Sequence, residues 1–169
     1  MKALSKSRFK LGLECPNKVY FSNNPDIFYN QKKEDPFLEA LASGGFQVEE
    51  YARLQYPNGK LIDAPYIDDN YPFFHEETKK LLGQEEVVIY EAGFLYDHLF
   101  VRTDILQKKG NDIHLIEVKA KSYNPNDLYT FITKTGLIES SWKPYLFDLA
   151  FQTYVVQKCY PKLKVIPYL

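Results

Sequence analysis

Hydrophobic and polar positions change period once along the chain, near residue 85. Before it, apolar residues recur three and four apart. Ser5 stands as a cap ahead of Phe9 and Leu13 at i, i+4 spacing, which predicts a first helix ending at Cys15-Pro16. Residues 22–33, with Ser22-Asn23-Asn24-Pro25-Asp26 and Asn30-Gln31-Lys32-Lys33, read as loop. Asp35-Pro36 places proline at the first position of a helix carrying Phe37, Leu38 and Leu41, expected to stop at Ser43-Gly44-Gly45. A second helical stretch runs from Phe46 to Tyr56 with Val48, Tyr51, Ala52 and Gln55 in phase, and Pro57-Asn58-Gly59 turns the chain. A short helix is expected between Pro72 and Gly83.

From Glu86 the pattern shortens to runs rich in Val, Ile, Leu, Phe and Tyr. Glu86–Phe94, His98–Gln107 and Ile113–Lys121 are separated by Leu95-Tyr96-Asp97 and Lys108-Lys109-Gly110-Asn111-Asp112, which predicts an antiparallel three-stranded meander. The segment from Ser122 to Trp142 fits neither period. Pro144–Tyr160 is a helix with Leu146, Leu149, Ala150, Thr153, Val156 and Tyr160 near a 3.6 repeat, closed by Pro161. Leu163–Ile166 reads as a last strand. Helices, three strands, helix and strand add up to an α/β protein with a mixed central sheet flanked by helices. Phe37, Phe46, Phe100, Phe147 and Phe151 fall at apolar-face positions and are expected in the core.

Alternation along the third strand puts Leu115, Glu117, Lys119 and Lys121 on one face, with Ile116, Val118 and Ala120 on the other. A carboxylate and an ammonium inside an apolar strand are costly unless satisfied. Asp104, on the preceding strand beside Val101, Ile105 and Leu106, can approach Glu117 if the two strands pair through the Lys108–Asp112 turn. Two adjacent carboxylates repel, and a hard divalent ion between them removes the repulsion. Lys119 could then orient or deprotonate a water for attack on a phosphodiester. The plainer reading of the same residues is a cross-strand salt-bridge ladder on a half-solvated face. The strand–turn–strand placement, the apolar setting and the glutamine-bearing helix downstream favour the site.

Composition narrows the picture. The 169 residues fit one domain, and 21 Lys+Arg against 22 Asp+Glu give a net charge of −1, which excludes binding to nucleic acid through bulk charge alone. Two cysteines, Cys15 and Cys159, form no CxxC pair and no disulfide framework, and both are expected as buried thiols. Without an apolar stretch behind the N-terminal charges or a bilayer-length run, a soluble, cytoplasmic protein without membrane partners is expected. His75-Glu76-Glu77 lacks the second histidine of a zinc helix and reads as surface helix, while His98 and His114 read as packing or surface residues. Asp68-Asp69-Asn70 is too short for a calcium loop, and no glycine-rich phosphate loop is present. The aromatic share is 16%, with 14 Tyr and 12 Phe; Lys121, Tyr123, Tyr129 and Tyr154 are candidates for gripping and stacking on bases.

Asp104 with Glu117-Val118-Lys119, followed by the helix containing Phe147-Asp148-Leu149-Ala150-Phe151-Gln152-Thr153-Tyr154, resembles the PD-(D/E)xK nucleases. Within them the chain is similar to the RecB-like branch, which includes CRISPR adaptation nucleases and a large bacterial group of uncharacterised proteins. Leu4-Ser5-Lys6-Ser7-Arg8-Phe9 through Cys15-Pro16-Asn17-Lys18, and Gly45-Phe46-Gln47-Val48-Glu49-Glu50-Tyr51-Ala52-Arg53, are similar to segments of that group. The resemblance implies a restriction-endonuclease-like αβββαβ core and metal-dependent hydrolysis of DNA. It implies that Asp104, Glu117 and the Val118 carbonyl ligate Mg²⁺ or Mn²⁺, with Lys119 positioning the attacking water. The helix ligand maps onto Glu50, with Glu49 as rival, and Gln152 matches the family's helix glutamine. The usual tyrosine four residues after that glutamine is replaced by Val156, with Tyr154 out of phase. Glu91 reads as an exposed strand charge.

Cys15 matches the leading cysteine of RecB-like nucleases that carry an iron–sulfur cluster, but the trailing trio is missing. Two thiolates cannot hold a four-ligand cluster, so the cluster is expected only in a longer chain. The ending Val165-Ile166-Pro167-Tyr168-Leu169 falls inside a predicted strand, so 1–169 is expected to be one nuclease-like domain of a longer protein. A helix and loop over 1–33 would precede a core over 34–169. Two rivals accompany this reading: a catalytically silent nucleic-acid or protein interaction module on the same fold, and a metal-dependent phosphoesterase acting on RNA or a small substrate.

Overall fold

The computed structural model describes residues 3–30, 35–64 and 70–169. The side chains of Phe37, Leu38 and Leu41, and the Asp68-Asp69 pair, lie outside what is described. The chain runs β1 (Leu4–Ser5), α1 (Lys6–Glu14), α2 (Pro16–Asn23), α3 (Pro36–Arg53), β2 (Lys60–Leu61), α4 (Tyr71–Leu82), β3 (Glu86–Tyr96), β4 (Leu99–Lys109), β5 (Asp112–Ile116), α5 (Lys143–Cys159) and β6 (Lys164–Tyr168). Among the described residues this is an α/β protein with five helices and a mixed open sheet of six strands in the order β2-β3-β4-β5-β6, with β1 paired to β4.

The expected meander forms the middle of that sheet. β3 and β4 are antiparallel from Glu86–Lys109 to Tyr96–Leu99, and β4 and β5 from Ile105–Ile116 to Lys109–Asp112. β6 returns parallel to β5 after α5, which packs on β3, β4 and β6. Ile89, Phe94, Val101, Ile105, Leu106, Ile113, Leu115, Val155 and Val156 are fully buried, so the central strands are covered on both faces.

Several expectations need correction. Pro16 does not merely end the first helix; it opens α2, because proline suits a first helical position. α3 runs unbroken through Gly44-Gly45: about 1 kcal/mol of lost propensity per glycine is too little to stop a helix lacking proline there. Phe46, expected in the core, is 68% exposed on that helix. β5 ends at Ile116, not Lys121. The buried face of α5 is Asp148, Leu149, Phe151, Gln152, Val155 and Val156, rotated from the expected one; Ala150 is exposed and Phe147 half-buried. The segment over 1–33 is no appendage to the sheet. It supplies β1, and Phe9 of α1 stacks on Phe151 of α5 at 4.3 Å.

β1 and β5 use the same edge of β4. β3 takes the other edge of Leu99 and Phe100, so Leu4 and Ser5 must pair on the side where β5 pairs farther along. β1 runs parallel to β4 and β5 antiparallel, so their C-terminal ends approach each other across the stretch Val101–Asp104. Both chains leave the sheet there. No helix of the described residues is long and apolar enough to cross a membrane.

Gly93 of β3 is where α4 presses closest. A Cβ there would lie 2.3 Å from Phe74 Cβ, and the Gly93 N–H donates to the buried Thr78 hydroxyl at 2.8 Å. Gly93→Ala is therefore expected to cost about 1–3 kcal/mol through displacement of α4, read from the urea midpoint at unchanged m-value.

Candidate active site

The gap between β1 and β5 holds the charged residues. Glu117 directly follows β5, and its N–H still donates to the Tyr168 carbonyl at 2.9 Å, so the backbone is fixed. Its side chain has no exposure. Asp104, on β4, accepts from the Val118 N–H at 2.8 Å, so Val118 enters the site through its amide. Lys119 contacts Glu117 Oε1 directly, and its Nζ lies 3.9 Å from Asp148 Oδ2. Gln152 donates to Glu117 Oε2 at 2.8 Å and to Asp148 Oδ1 at 3.4 Å from one turn along α5. Asp104, Glu117, Lys119 and Gln152, singled out in the sequence, are thus brought together.

Lys6 completes the cluster. It is the first residue of α1, and its Nζ lies 3.2 Å from both Glu117 oxygens and 3.5 Å from Asp104 Oδ1. Lys10, one turn on, lies 3.9 Å from Asp148 Oδ2. Neither lysine was singled out, nor was Asp148 given a role. The sequence does carry signals. A lysine in the first turn opposes the helix dipole, and the first turn of α1 has no acidic residue. Asp148, four residues before Gln152, shares with it the buried face that Leu149, Phe151, Val155 and Val156 otherwise make apolar, and is fully buried.

The site's charges set its proton affinities. Burial pushes the Asp104 carboxyl up, Lys6 opposes this and Glu117 adds to it, leaving it raised to about 6. Burial would raise Glu117 too, but Lys6 and Lys119 outweigh it and hold the carboxyl down at about 2. Asp148 is raised, mainly by burial. Burial works against the Lys6 ammonium, yet Asp104, Glu117 and Asp148 together hold its pKa above the ordinary lysine value.

A second cluster abuts the first across β3. The β3–β4 ladder skips the position where Glu91 opposes Asp104, and there Glu91 has a left-handed φ of 59°. Glu91 is not the exposed strand charge expected: its side chain is 20% exposed and pairs with Arg102 at 2.6 Å and Arg53 at 3.1 Å. Arg53 also contacts Glu49, whose carboxyl lies against Glu91. Glu50 does not converge on the site. It sits about 100° around α3 from Glu49, is 71% exposed and pairs only with Arg53 at 3.1 Å. The helix acid nearest the cluster is Glu49, the rival.

Of the nucleic-acid candidates, Lys121, Tyr123 and Tyr129 lie along the following loop and Tyr154 on α5. Lys121 is turned away from a free contact: its Nζ donates to the Ser141 carbonyl at 2.8 Å and stands over the Trp142 ring at 4.3 Å. Tyr123, Tyr129 and Tyr154 are exposed, with Lys134 over Tyr129 and Lys158 over Tyr154, both at 5.5 Å. His75 is half-buried and accepts from the Leu95 N–H at 3.1 Å; His114 stacks on Tyr168. Both cysteines are free and partly exposed, not buried as expected. Cys159 meets the Leu95 carbonyl at 3.5 Å, and burial pushes its thiol up to about 11.

The donor set can be tested against a divalent ion. Among the described residues no three His, Cys, Asp or Glu side chains are grouped to hold one. Two carboxylates, Asp104 and Glu117, do face one position, which the Lys6 ammonium takes, and Asp148 Oδ2 is buried without a hydrogen-bond donor. Hard oxygens in that number suit Mg²⁺ or Mn²⁺ completed by waters and a substrate phosphate.

Burial raises Glu91 to about 7, with Arg102 opposing and the Glu49 carboxyl adding to the rise. A folded-state value above the ordinary 4.5 means its contribution to stability is present below that pH and lost as pH climbs through about 7. Glu117 has the opposite sign, with a contribution lost as pH falls toward about 2. In EDTA, Glu91→Gln is expected to remove on the order of 2 kcal/mol of the wild type's stability loss between about pH 5 and 7.5, measured by urea denaturation. Comparison with protein-family models, curated proteins and solved structures gives no match to this chain.

Proposed function

We propose that the chain is a metal-dependent nuclease that hydrolyses DNA phosphodiester bonds, built on the restriction-endonuclease-like core of the RecB-like PD-(D/E)xK enzymes. The observation that supports this reading is the convergence of Asp104, Glu117 and Lys119 at the mouth of the β1–β5 gap, with Gln152 bound behind Glu117. Asp104 and Glu117 would hold Mg²⁺ or Mn²⁺, which supplies charge neutralisation at the scissile phosphate and acidifies a water. Lys119, bound to Glu117, would orient that water. Gln152 fixes the buried Glu117 carboxylate from the side of α5. A cytoplasmic setting and DNA as partner go with this reading.

One observation favours the silent interaction module instead. The Lys6 ammonium already sits between the two carboxylates, and with Lys10 and Lys119 it balances Asp104, Glu117 and Asp148, so the cluster is electrostatically complete without a divalent ion. Cleavage of linear and circular DNA in Mn²⁺ separates the two. Asp104→Ala and Lys119→Ala are each expected to lower cleavage by roughly 10²–10⁴-fold. Equal cleavage by all three proteins would mean a contaminant or a different site, and binding without cleavage would establish the silent module. Tyr123→Ala with Tyr129→Ala is expected to weaken single-strand binding by about 1–3 kcal/mol per stacked base lost, read by fluorescence anisotropy.

A further inference from the structure

Lys6 is held where it is by more than its own charge. Leu4 donates to the His98 carbonyl at 2.7 Å, Ser5 caps α1 by accepting from the Arg8 N–H, and Arg8 reaches back to the Ala3 carbonyl at 2.9 Å. The backbone ahead of Lys6 is thereby fixed against β4, and only its four-carbon stem is free to move. Its ammonium is equidistant from the Glu117 oxygens, at 3.2 Å each, and 3.5 Å from Asp104. A small divalent ion bound by the same two carboxylates would need oxygen distances of about 2.0–2.1 Å, within the space the ammonium fills.

Charge counting gives the same answer. Asp104, Glu117 and Asp148 face Lys6, Lys10 and Lys119, so the cluster is balanced as it stands. A divalent ion would leave two positive charges in excess, and the departure of one ammonium reduces that excess to one, which a bound phosphate offsets. Lys119 pairs with Glu117 and Asp148 and acts on Asp104 only at longer range, and Lys10 pairs with Asp148. Lys6 alone bridges the pair, and its side chain is 23% exposed, so its way out to solvent is short.

We propose that Lys6 is an internal stand-in for the divalent ion: its ammonium holds Asp104 and Glu117 together in the metal-free protein and is expelled when the ion binds. This rests on the reading of Asp104 and Glu117 as metal ligands. Lys6 is then a positioning residue with two consequences. It keeps a buried carboxylate pair from destabilising the metal-free fold, and it weakens metal affinity by competition. The metal-free site is preformed, and ion uptake is an exchange of cations.

The test uses the whole chain and Mn²⁺ alone. Lys6→Met keeps the length of the stem and removes the charge. It is expected to lower the thermal midpoint in EDTA while binding Mn²⁺ at least roughly tenfold more tightly by calorimetry, a gain of about 1.4 kcal/mol. A purely structural lysine would lower the midpoint without tightening binding. Unchanged or weaker Mn²⁺ affinity in Lys6→Met, with binding lost in Glu117→Gln, overturns the inference and leaves the metal site standing. No Mn²⁺ binding by wild type or Lys6→Met overturns both. A second measurement needs no variant. Amine acylation mapped by mass spectrometry should show Lys6 slow in EDTA and several-fold faster in saturating Mn²⁺, with the exposed Lys79 unchanged. Equal Lys6 labelling in the two conditions, while Mn²⁺ binds, overturns the proposal.

Discussion

A carboxylate with no solvent contact must be neutralised by its own protein, and Glu117 is that carboxylate. Its partners come from its own segment and from two remote parts of the chain: Lys119 two residues on, Lys6 from the first helix and Gln152 from α5. Each partner requires its element to sit in one place. The first helix can deliver Lys6 only because β1 pairs with β4, and α5 can deliver Gln152 only with the face that also buries Val155 and Val156. Demand for charge compensation and demand for apolar burial therefore select the same arrangement, the kind of agreement between levels expected of a well-specified fold.

The two acidic clusters divide the labour of handling protons. Glu117 remains ionised over the whole neutral range, while Asp104 and Glu91, opposite one another across the β3–β4 ladder, titrate closer to neutrality. The ladder opens at that position, and Glu91 adopts a backbone conformation worth about 1–3 kcal/mol of strain for a residue with a side chain. That conformation sets the Glu91 carboxylate against Arg53 and Arg102. Arg53 in turn ties α3 to the sheet through Glu91, so the strained residue also anchors a helix.

Much of this was legible from residues alone where a local rule governs. Ser5 as a cap, Pro72 and Gly83 as helix limits, and the meander all follow from short-range sterics and alternation. Asp104, Glu117, Lys119 and Gln152 stood out because charges inside apolar runs demand an explanation. Lys6 and Asp148 did not, since their partners lie far away in the chain and a lysine on a helix is ordinarily solvated. Glu91 was misjudged for a related reason: nothing in an alternating pattern announces a left-handed residue within a strand. Glu50 and Glu49 could not be separated because one residue of helical phase decides which faces the sheet.

The hydrogen bonds between Lys6 and Glu117 close a loop of 111 residues. The entropy of closing such a loop is spent before the contact returns anything, whereas the β3–β4 hairpin closes across a tight turn. Strand pairing in the hairpin can therefore precede the site, and the charges of Lys6, Asp104 and Glu117 meet only when β1 and β5 have found the same edge of β4. For a ribosome releasing this chain from its N-terminus, Lys6 emerges long before its partner, and the chemistry of the site waits for the arrival of α5.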